Sequence, residues 1–495
     1  MYASLHSGHG QAVGRCSPVR ILTRGVKHYG VNRVSMFFIK LMLVLGPVYW
    51  IPGVPLKFWS TLKDLLLILC IAWQFVDSAV HRRNPLSYVM STYEGLLLLT
   101  LVLASFAGVL SSSDPVSALR LWVRITIPVL LVSAAYNSLL CCGNDCCTTK
   151  RLMTWMMAPV LASSAYVVLS RLGVIPSFEP PGEFAVPLTR MGQIGLSYRT
   201  NAMSWSVAFV WPIVFYSLLY SHNFKTRLLW GLSASVLLVA AMLTGGRGGL
   251  LAIAITSVMG ILSKGVPRNL SAVLVTTIIV GAALLGANQA YGDSRSMVQA
   301  LVREQGDEFD LNQFSSSRVE VYSYGLALVA DNPLAGVGFG RFAVALRESG
   351  GPSLGAHNTY LSFAGEAGVL SGLIALLFTT WAVVNGIRHI HHGDNTDRLD
   401  YLIWLGVVTA SVLNTYSEDG AMFSNLSSSF PFWFGLAALA IHRHVAHQRG
   451  VKARKSGRDL FGGGPFDQAE GDVRPAHSPA LQSSAVSGAV TFKVD

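Results

Sequence analysis

Residues 315–342 read SSSRVEVYSYGLALVADNPLAGVGFGRF, and fourteen residues later 357–373 read HNTYLSFAGEAGVLSGL. The first string ends the longest interval between strongly apolar runs, and the second leads from a histidine into one of those runs. Long loops inside compact architectures are functional or disordered. This one keeps Val319, Tyr322, Leu326 and Val329 at helical spacing, which predicts a folded, partly helical cap rather than a disordered linker. The second string places His357 and Asn358 at the mouth of a helix running to about residue 385.

Outward from this stretch the chain is almost entirely apolar. Of its 495 residues 52% are hydrophobic and 13% charged, which excludes an ordinary soluble domain. A membrane-spanning helix needs roughly 20 mostly apolar residues, and about twelve runs meet that measure. They lie near 36–56, 59–79, 93–110, 121–141, 152–171, 202–220, 228–244, 249–262, 270–287, 358–385, 401–416 and 428–446; 249–262 is short and 401–416 only weakly apolar. The predicted class is all-α, a polytopic membrane protein with about twelve transmembrane helices and a partly helical periplasmic loop.

The net charge of +11 is distributed as a topology signal rather than as a nucleic-acid footprint. Basic residues gather in alternate connections: Arg15 to Arg33, Arg82 and Arg83, Lys150 and Arg151, Lys225 and Arg227, Lys264 and Arg268, Arg388 and Arg398, and a tail set from Arg443 to Lys455. With twelve spans all of these fall on one side, as the positive-inside bias requires. Both termini are then cytosolic, and the loops near 172–200, 245–249, 288–356 and 417–427 face outward. The domain plan is a basic N-terminal segment (1–35), nine helices with an outward loop at 172–200 (36–287), a periplasmic loop (288–356), three helices (357–446) and a polar, disordered tail (447–495). Residues 1–35 lack the apolar core and cleavage site of a signal peptide.

Cysteines avoid the outward loops, where disulfides would form. Cys141, Cys142, Cys146 and Cys147 bracket a turn whose spacing matches no standard zinc pattern, and a structural or acylated role is expected there. His389, His391 and His392 read as a solvated basic loop, so no metal and no cofactor is expected. Glu366 is predicted to hydrogen-bond another span, because an unpaired carboxylate in lipid is costly. Arg120 and Arg124, four apart near the outward end of one span, either snorkel to headgroups or line an anion site.

Candidate chemistry concentrates outside. Outward loops should be poor in basic residues, yet Arg190, Arg199, Arg247, Arg318 and Arg341 all fall there, almost without lysine. Arginine in place of lysine favours forked recognition of phosphate or carboxylate; pairing with loop acids such as Glu304, Asp307, Glu308 and Asp310 is the structural alternative. A histidine, with an unperturbed pKa of ~6.5, can accept a proton at neutral pH, which makes His357 a candidate base; capping the helix start is its bland alternative, a role Asn358 could fill alone. Small residues at 364, 368 and 372 allow a second helix or a lipid chain to approach closely.

Three runs together, LTGGRGGLLA (243–252), SSSRVEVYSYGLALVADNPLAGVGFGRF and HNTYLSFAGEAGVLSGL, resemble the O-antigen ligase and polymerase superfamily over about residues 185–375. The run RMGQIGLSYRTN (190–201) is a weaker likeness to the Arg-Xaa-Gly…Asn segment of that family. Ligases often show His-Asn, nine residues, Gly, two residues, then Gly, Thr or Tyr; here Gly368 is in place but Ser371 fills the last position, which leaves ligase against polymerase open. The resemblance implies a metal-independent, inverting membrane glycosyltransferase that moves a glycan from undecaprenyl diphosphate to an acceptor hydroxyl. The acceptor would be lipid A–core, in lipopolysaccharide assembly, or another saccharide, in polysaccharide polymerisation. It further implies that His357 is the general base and that Arg190, Arg247 and Arg318 bind the donor diphosphate, with Arg199, Arg341, Asn358 and Tyr360 as additional site candidates. A rival from another class is a transporter or flippase of lipid-linked saccharide, which would want an internal repeat and ionisable groups near mid-membrane.

Overall fold

The computed structural model describes residues 29–46, 56–80, 84–141, 146–176, 200–244, 246–264, 281, 318–390, 395–416, 423 and 426–460. Among these residues every regular element is helical. Residues 1–446 form one compact unit; residues 447–495 form a second, whose described part, 447–460, is helical.

The chain begins with α1 (Tyr29–Leu45) and α2 (Leu56–Val80), then a short α3 (Ser87–Ser91), and α4 (Tyr93–Ser105), which continues past a one-residue break as α5 (Ala107–Leu110). Thr92 caps α4 by accepting from the Gly95 amide, the usual repair for an orphaned first-turn donor. Next come α6 (Pro115–Cys141), α7 (Cys146–Arg171), α8 (Thr200–Tyr220), α9 (Phe224–Thr244) and α10 (Arg247–Lys264). After the segment 265–317 follow α11 (Arg318–Asp331), α12 (Phe342–Glu348), α13 (Thr359–Ala367), α14 (Val369–Arg388), α15 (Asn395–Thr415) and α16 (Leu426–Leu460).

Six stretches among the described residues are long and apolar enough to cross a membrane: 93–110, 115–140, 151–171, 201–220, 224–244 and 369–388. That is the pattern of a multi-pass membrane protein. Eleven of the expected runs overlap described helices; the run at 270–287 lies outside the described residues, apart from residue 281. Helix α16 continues to Leu460, past residue 447 where a disordered tail was expected to begin.

Helix α8 is the axis, buried along nearly its whole length and packed on α9, α10 and α15. Its aromatic side chains explain the close fit. The Tyr216 hydroxyl donates to the Thr256 carbonyl at 2.7 Å, and the Trp211 indole donates to Ser257 Oγ at 2.8 Å. A side chain at Gly260 would strike the Tyr216 ring, so glycine there lets α10 approach. Arg398 of α15 donates to the Ser263 carbonyl at 2.7 Å, tying the start of α15 to the end of α10.

Two expectations change here. The run at 358–385 is not one helix but a hairpin. Gly368, at φ 92, ends α13, and α14 then runs back beside it. A Cβ on Gly372 would lie 2.7 Å from Ala364 Cβ and 2.9 Å from the Tyr360 carbonyl oxygen. In one continuous helix, residues 360 and 372 would be roughly 18 Å apart. The small residues do permit close approach, but the partner is the second arm of the same hairpin. The buried face of α11 also differs: Val321, Gly325 and Leu328 face inward, whereas Val319 and Leu326 are exposed. Gly325 decides the phase, since its missing side chain admits Leu361 and Phe342.

Candidate functional site

The string DNPLAGVGFGRF (331–342) forms a clasp across the hairpin turn. The Val337 and Gly338 amides donate to the carbonyls of Gly365 and Glu366 at 2.8 and 3.0 Å. The Val369 amide, first in α14, donates to the Pro333 carbonyl at 2.8 Å. On the other side, the Phe339 amide reaches the Gly108 carbonyl at 3.2 Å, and Ser111 Oγ reaches the Ala335 carbonyl at 2.8 Å. The clasp therefore sits between two interrupted helices and satisfies carbonyls that the interruptions leave open. Gly336 and Gly338 have φ of 64 and 94, and a Cβ on either would lie 2.4 and 2.6 Å from neighbouring backbone. These glycines serve packing; they form no phosphate-binding loop.

Glu366 belongs to this clasp. One carboxylate oxygen accepts from the amides of Gly340 and Phe342 at 3.1 and 3.3 Å, the latter at the start of α12. The hairpin turns Glu366 toward the clasp, so it accepts from loop backbone. Arg341 is engaged too: it donates to Ser113 Oγ and pairs with Glu348 at 3.3 Å.

At the far end of α13 sits His357. Nine helical residues separate it from the turn, so the hairpin carries it roughly 13 Å back along α14. The hairpin thus sets His357 beside α14 rather than at the start of one continuous helix. Its φ of 47 makes it the one non-glycine residue with positive φ among the described residues. Such a backbone costs on the order of 1–3 kcal/mol and persists only where neighbours enforce it. They do so here. Ala356 is buried in a small core with Val321, Phe342 and Leu346. Asn358 caps α13, accepting from the amides of Tyr360 and Leu361 at 2.9 and 3.0 Å. The Tyr322 hydroxyl lies 3.3 Å from both the His357 carbonyl and the Tyr416 carbonyl. The Nδ1 atom of His357 is buried.

Tyr360 secures the same turn from below. Its hydroxyl lies 2.8 Å from Thr379 Oγ1 and 2.6 Å from Thr415 Oγ1, and its ring lies 4.8 Å from that of Tyr416. Tyr322, Thr379, Thr415 and Tyr416 were not singled out from sequence as site residues. The signal for Tyr322 was available, since it stands one turn after Arg318 and so shares its helix face.

Arg318 opens α11 and is partly buried, one turn before the tyrosine that holds His357. Arg247 opens α10 with its Nη1 atom buried. The glycines around it answer to Ser204 of α8: its hydroxyl donates to the Gly246 carbonyl at 2.8 Å, and a Cβ at Gly249 would collide with that hydroxyl. Antiparallel pairing brings Arg247 to the histidine's end of the bundle. Seventeen residues of α15 separate Arg398 from Thr415, and sixteen of α10 separate Ser263 from Arg247. With the 398–263 contact as the common origin, Arg247 and Thr415 stand at similar depth. Arg190 and Arg199 lie outside the described residues.

This arrangement sets an imidazole, two arginines and a set of hydroxyls toward one end of a helical bundle. Groups of three or more His, Cys, Asp or Glu able to hold a metal are absent among the described residues. A family model described as "O-antigen ligase" matches residues 232–377, from α9 into α14. That interval holds Arg247, Arg318, Arg341, His357, Asn358 and Tyr360, so the likeness to the O-antigen ligase and polymerase superfamily is shown where the candidate site lies. The match supports an enzyme of the ligase or polymerase type embedded in a membrane. Among curated proteins, no match is found.

Proposed function

We propose that this protein transfers a glycan from undecaprenyl diphosphate to an acceptor hydroxyl on the periplasmic face of the inner membrane. It crosses that membrane about twelve times with both termini cytosolic. The ligase reaction, onto lipid A–core, is the reading preferred for its His-Asn pair; polymerisation of lipid-linked repeats uses the same chemistry with a different acceptor. The observation that carries the proposal is the enforced left-handed backbone at His357, beside the helix that begins with Arg318. Backbone strain enforced at a titratable residue is a feature that clusters at active sites, and it supports His357 as a positioned base.

In the proposed step the imidazole of His357 takes the proton of the acceptor hydroxyl. The hydroxyl oxygen bonds to the anomeric carbon, and the bond from that carbon to the diphosphate breaks, with inversion. The leaving diphosphate gains negative charge, which Arg247, Arg318 and Arg190 stabilise where it accumulates. Metal independence follows from that division of labour, and activity in excess chelator tests it.

Purified protein supplied with lipid-diphosphate glycan and acceptor should form product, and His357→Ala should lower the rate by ~10²–10⁴. His357→Gly keeps the backbone without strain, so added imidazole should restore part of its rate. Wild-type movement of intact donor between leaflets without product would replace transfer by flipping. Arg318→Lys should also slow transfer, because lysine keeps the charge and loses the fork.

A further inference from the structure

Helix α6 carries two arginines that the proposed chemistry does not use. Its depth is set by α4 and α5: the Trp122 indole donates to the Val102 carbonyl at 2.9 Å, and its ring lies 5.0 Å from that of Phe106, edge to face. The apolar run 93–110 is eighteen residues long, about 27 Å as helix, enough to fill the hydrocarbon layer. Residues 120 and 124 of α6 therefore lie inside the apolar layer, roughly 9 and 15 Å from the end where that run finishes at Leu110. Their surroundings face lipid, for Val116, Leu119 and Val123 are 62%, 44% and 46% exposed.

Arg120 and Arg124 are exposed on this surface four residues apart, one above the other on one face. Among the described residues neither makes a hydrogen bond or a close ion pair. Their interactions are longer-range, Arg120 with Asp114 and Arg124 with Asp64 of α2. Asp114 is committed elsewhere: its carboxylate is held below the usual range chiefly by Ser117, with a smaller contribution from Arg120. Guanidinium groups facing hydrocarbon without a partner are costly. Helical side chains lean toward the N-terminus, which on α6 is the nearer membrane surface, so both forks point that way, Arg120 the shallower and Arg124 one turn beneath it, where an anionic headgroup drawn into the layer would meet them.

We propose that Arg120 and Arg124 form a binding site for the phosphate of an anionic phospholipid, whose acyl chains lie along Val116, Leu119 and Val123. The site backs onto the clasp. Leu121, adjacent to Arg120, has its Cδ1 2.8 Å from where a Cβ on Gly340 would stand, and Arg341 reaches Ser113 just before α6. The bound lipid would thus brace the α5–α6 connection from outside while the clasp packs on its inner side. The inference is independent of the transfer reaction.

Native mass spectrometry of the full-length protein, in mixed micelles with phosphatidylglycerol or phosphatidylcholine, tests it. Wild type and His357→Ala should both retain phosphatidylglycerol in preference. Arg120→Gln/Arg124→Gln should lose that preference, and Arg120→Lys/Arg124→Lys, which keeps both charges, should retain several-fold less than wild type. Equal retention of the two lipids by wild type, or an unchanged preference in either double variant, would overturn the site. Displacement of the retained lipid by inorganic phosphate would overturn its assignment to a lipid.

Discussion

The two ends of the bundle differ in what their polar groups do to the backbone. At the end where α4 begins, Glu94 is 3% exposed and pairs with Arg443 of α16 at 2.8 Å, while Asn385 of α14 donates to the same carboxylate at 2.7 Å. Three helices are pinned by groups that have found one another. At the other end, His357 holds an unfavourable backbone, and Arg247 and Arg318 stand at helix starts. A paired buried charge stabilises a fold only in the sense that removing one partner strands the other. A strained residue held by its neighbours stabilises nothing, and it persists where its position is what matters. The proposed transfer makes the first a structural end and the second a chemical one, although both are rich in ionisable side chains.

Glu94→Ala should break the contrast most sharply. Stranding Arg443 should cost about 3–5 kcal/mol, read as a lower Tm in detergent, while transfer per folded molecule stays near wild type. A large activity loss at unchanged Tm would dissolve the distinction. Gly336→Val comes next, since its Cβ would lie 2.4 Å from the Glu366 backbone at a φ of 64. Strain of ~1–3 kcal/mol or more should loosen the clasp, seen as faster proteolysis at 331–342 and slower transfer together.

Tyr322→Phe should be milder and more selective. Losing one neutral hydrogen bond is worth about 0.5–1.5 kcal/mol, so kcat should fall up to roughly tenfold with KM nearly unchanged. A shift of KM alone would remove Tyr322 from the positioning of His357. Arg341→Gln should matter least. Its pairing with Glu348 is partly solvated, the side chains being 31% and 61% exposed, and such pairs contribute only ~0–1 kcal/mol. A loss of transfer as large as that expected for Arg318→Lys would promote Arg341 from the clasp to the site.

Apolar length and charge alternation already placed most helices, because lipid demands both from any chain that crosses it. Runs such as 93–110 and 202–220 could be read almost to their ends. The hairpin at Gly368 could not, because a glycine between two apolar segments is compatible with a straight helix as well as with a reversal. Leu334 decides between them: its carbonyl oxygen lies 2.2 Å from where a Cβ on Gly368 would be, and nothing local to 357–385 announces it. Arg341 likewise looks like a site arginine in sequence, and only the folded chain brings it to Glu348 and Ser113.

The residue types themselves, then, determined that this chain is helical and membrane-spanning, and that Arg247, Arg318 and His357 stand outside its most apolar runs. Tertiary structure alone decided that His357 is folded back beside α14, that Glu366 serves the clasp, and that Arg247 stands at the histidine's depth. The reason is physical: hydropathy is a property of each segment, whereas a reversal, a strained φ and a common depth exist only once distant segments press on one another.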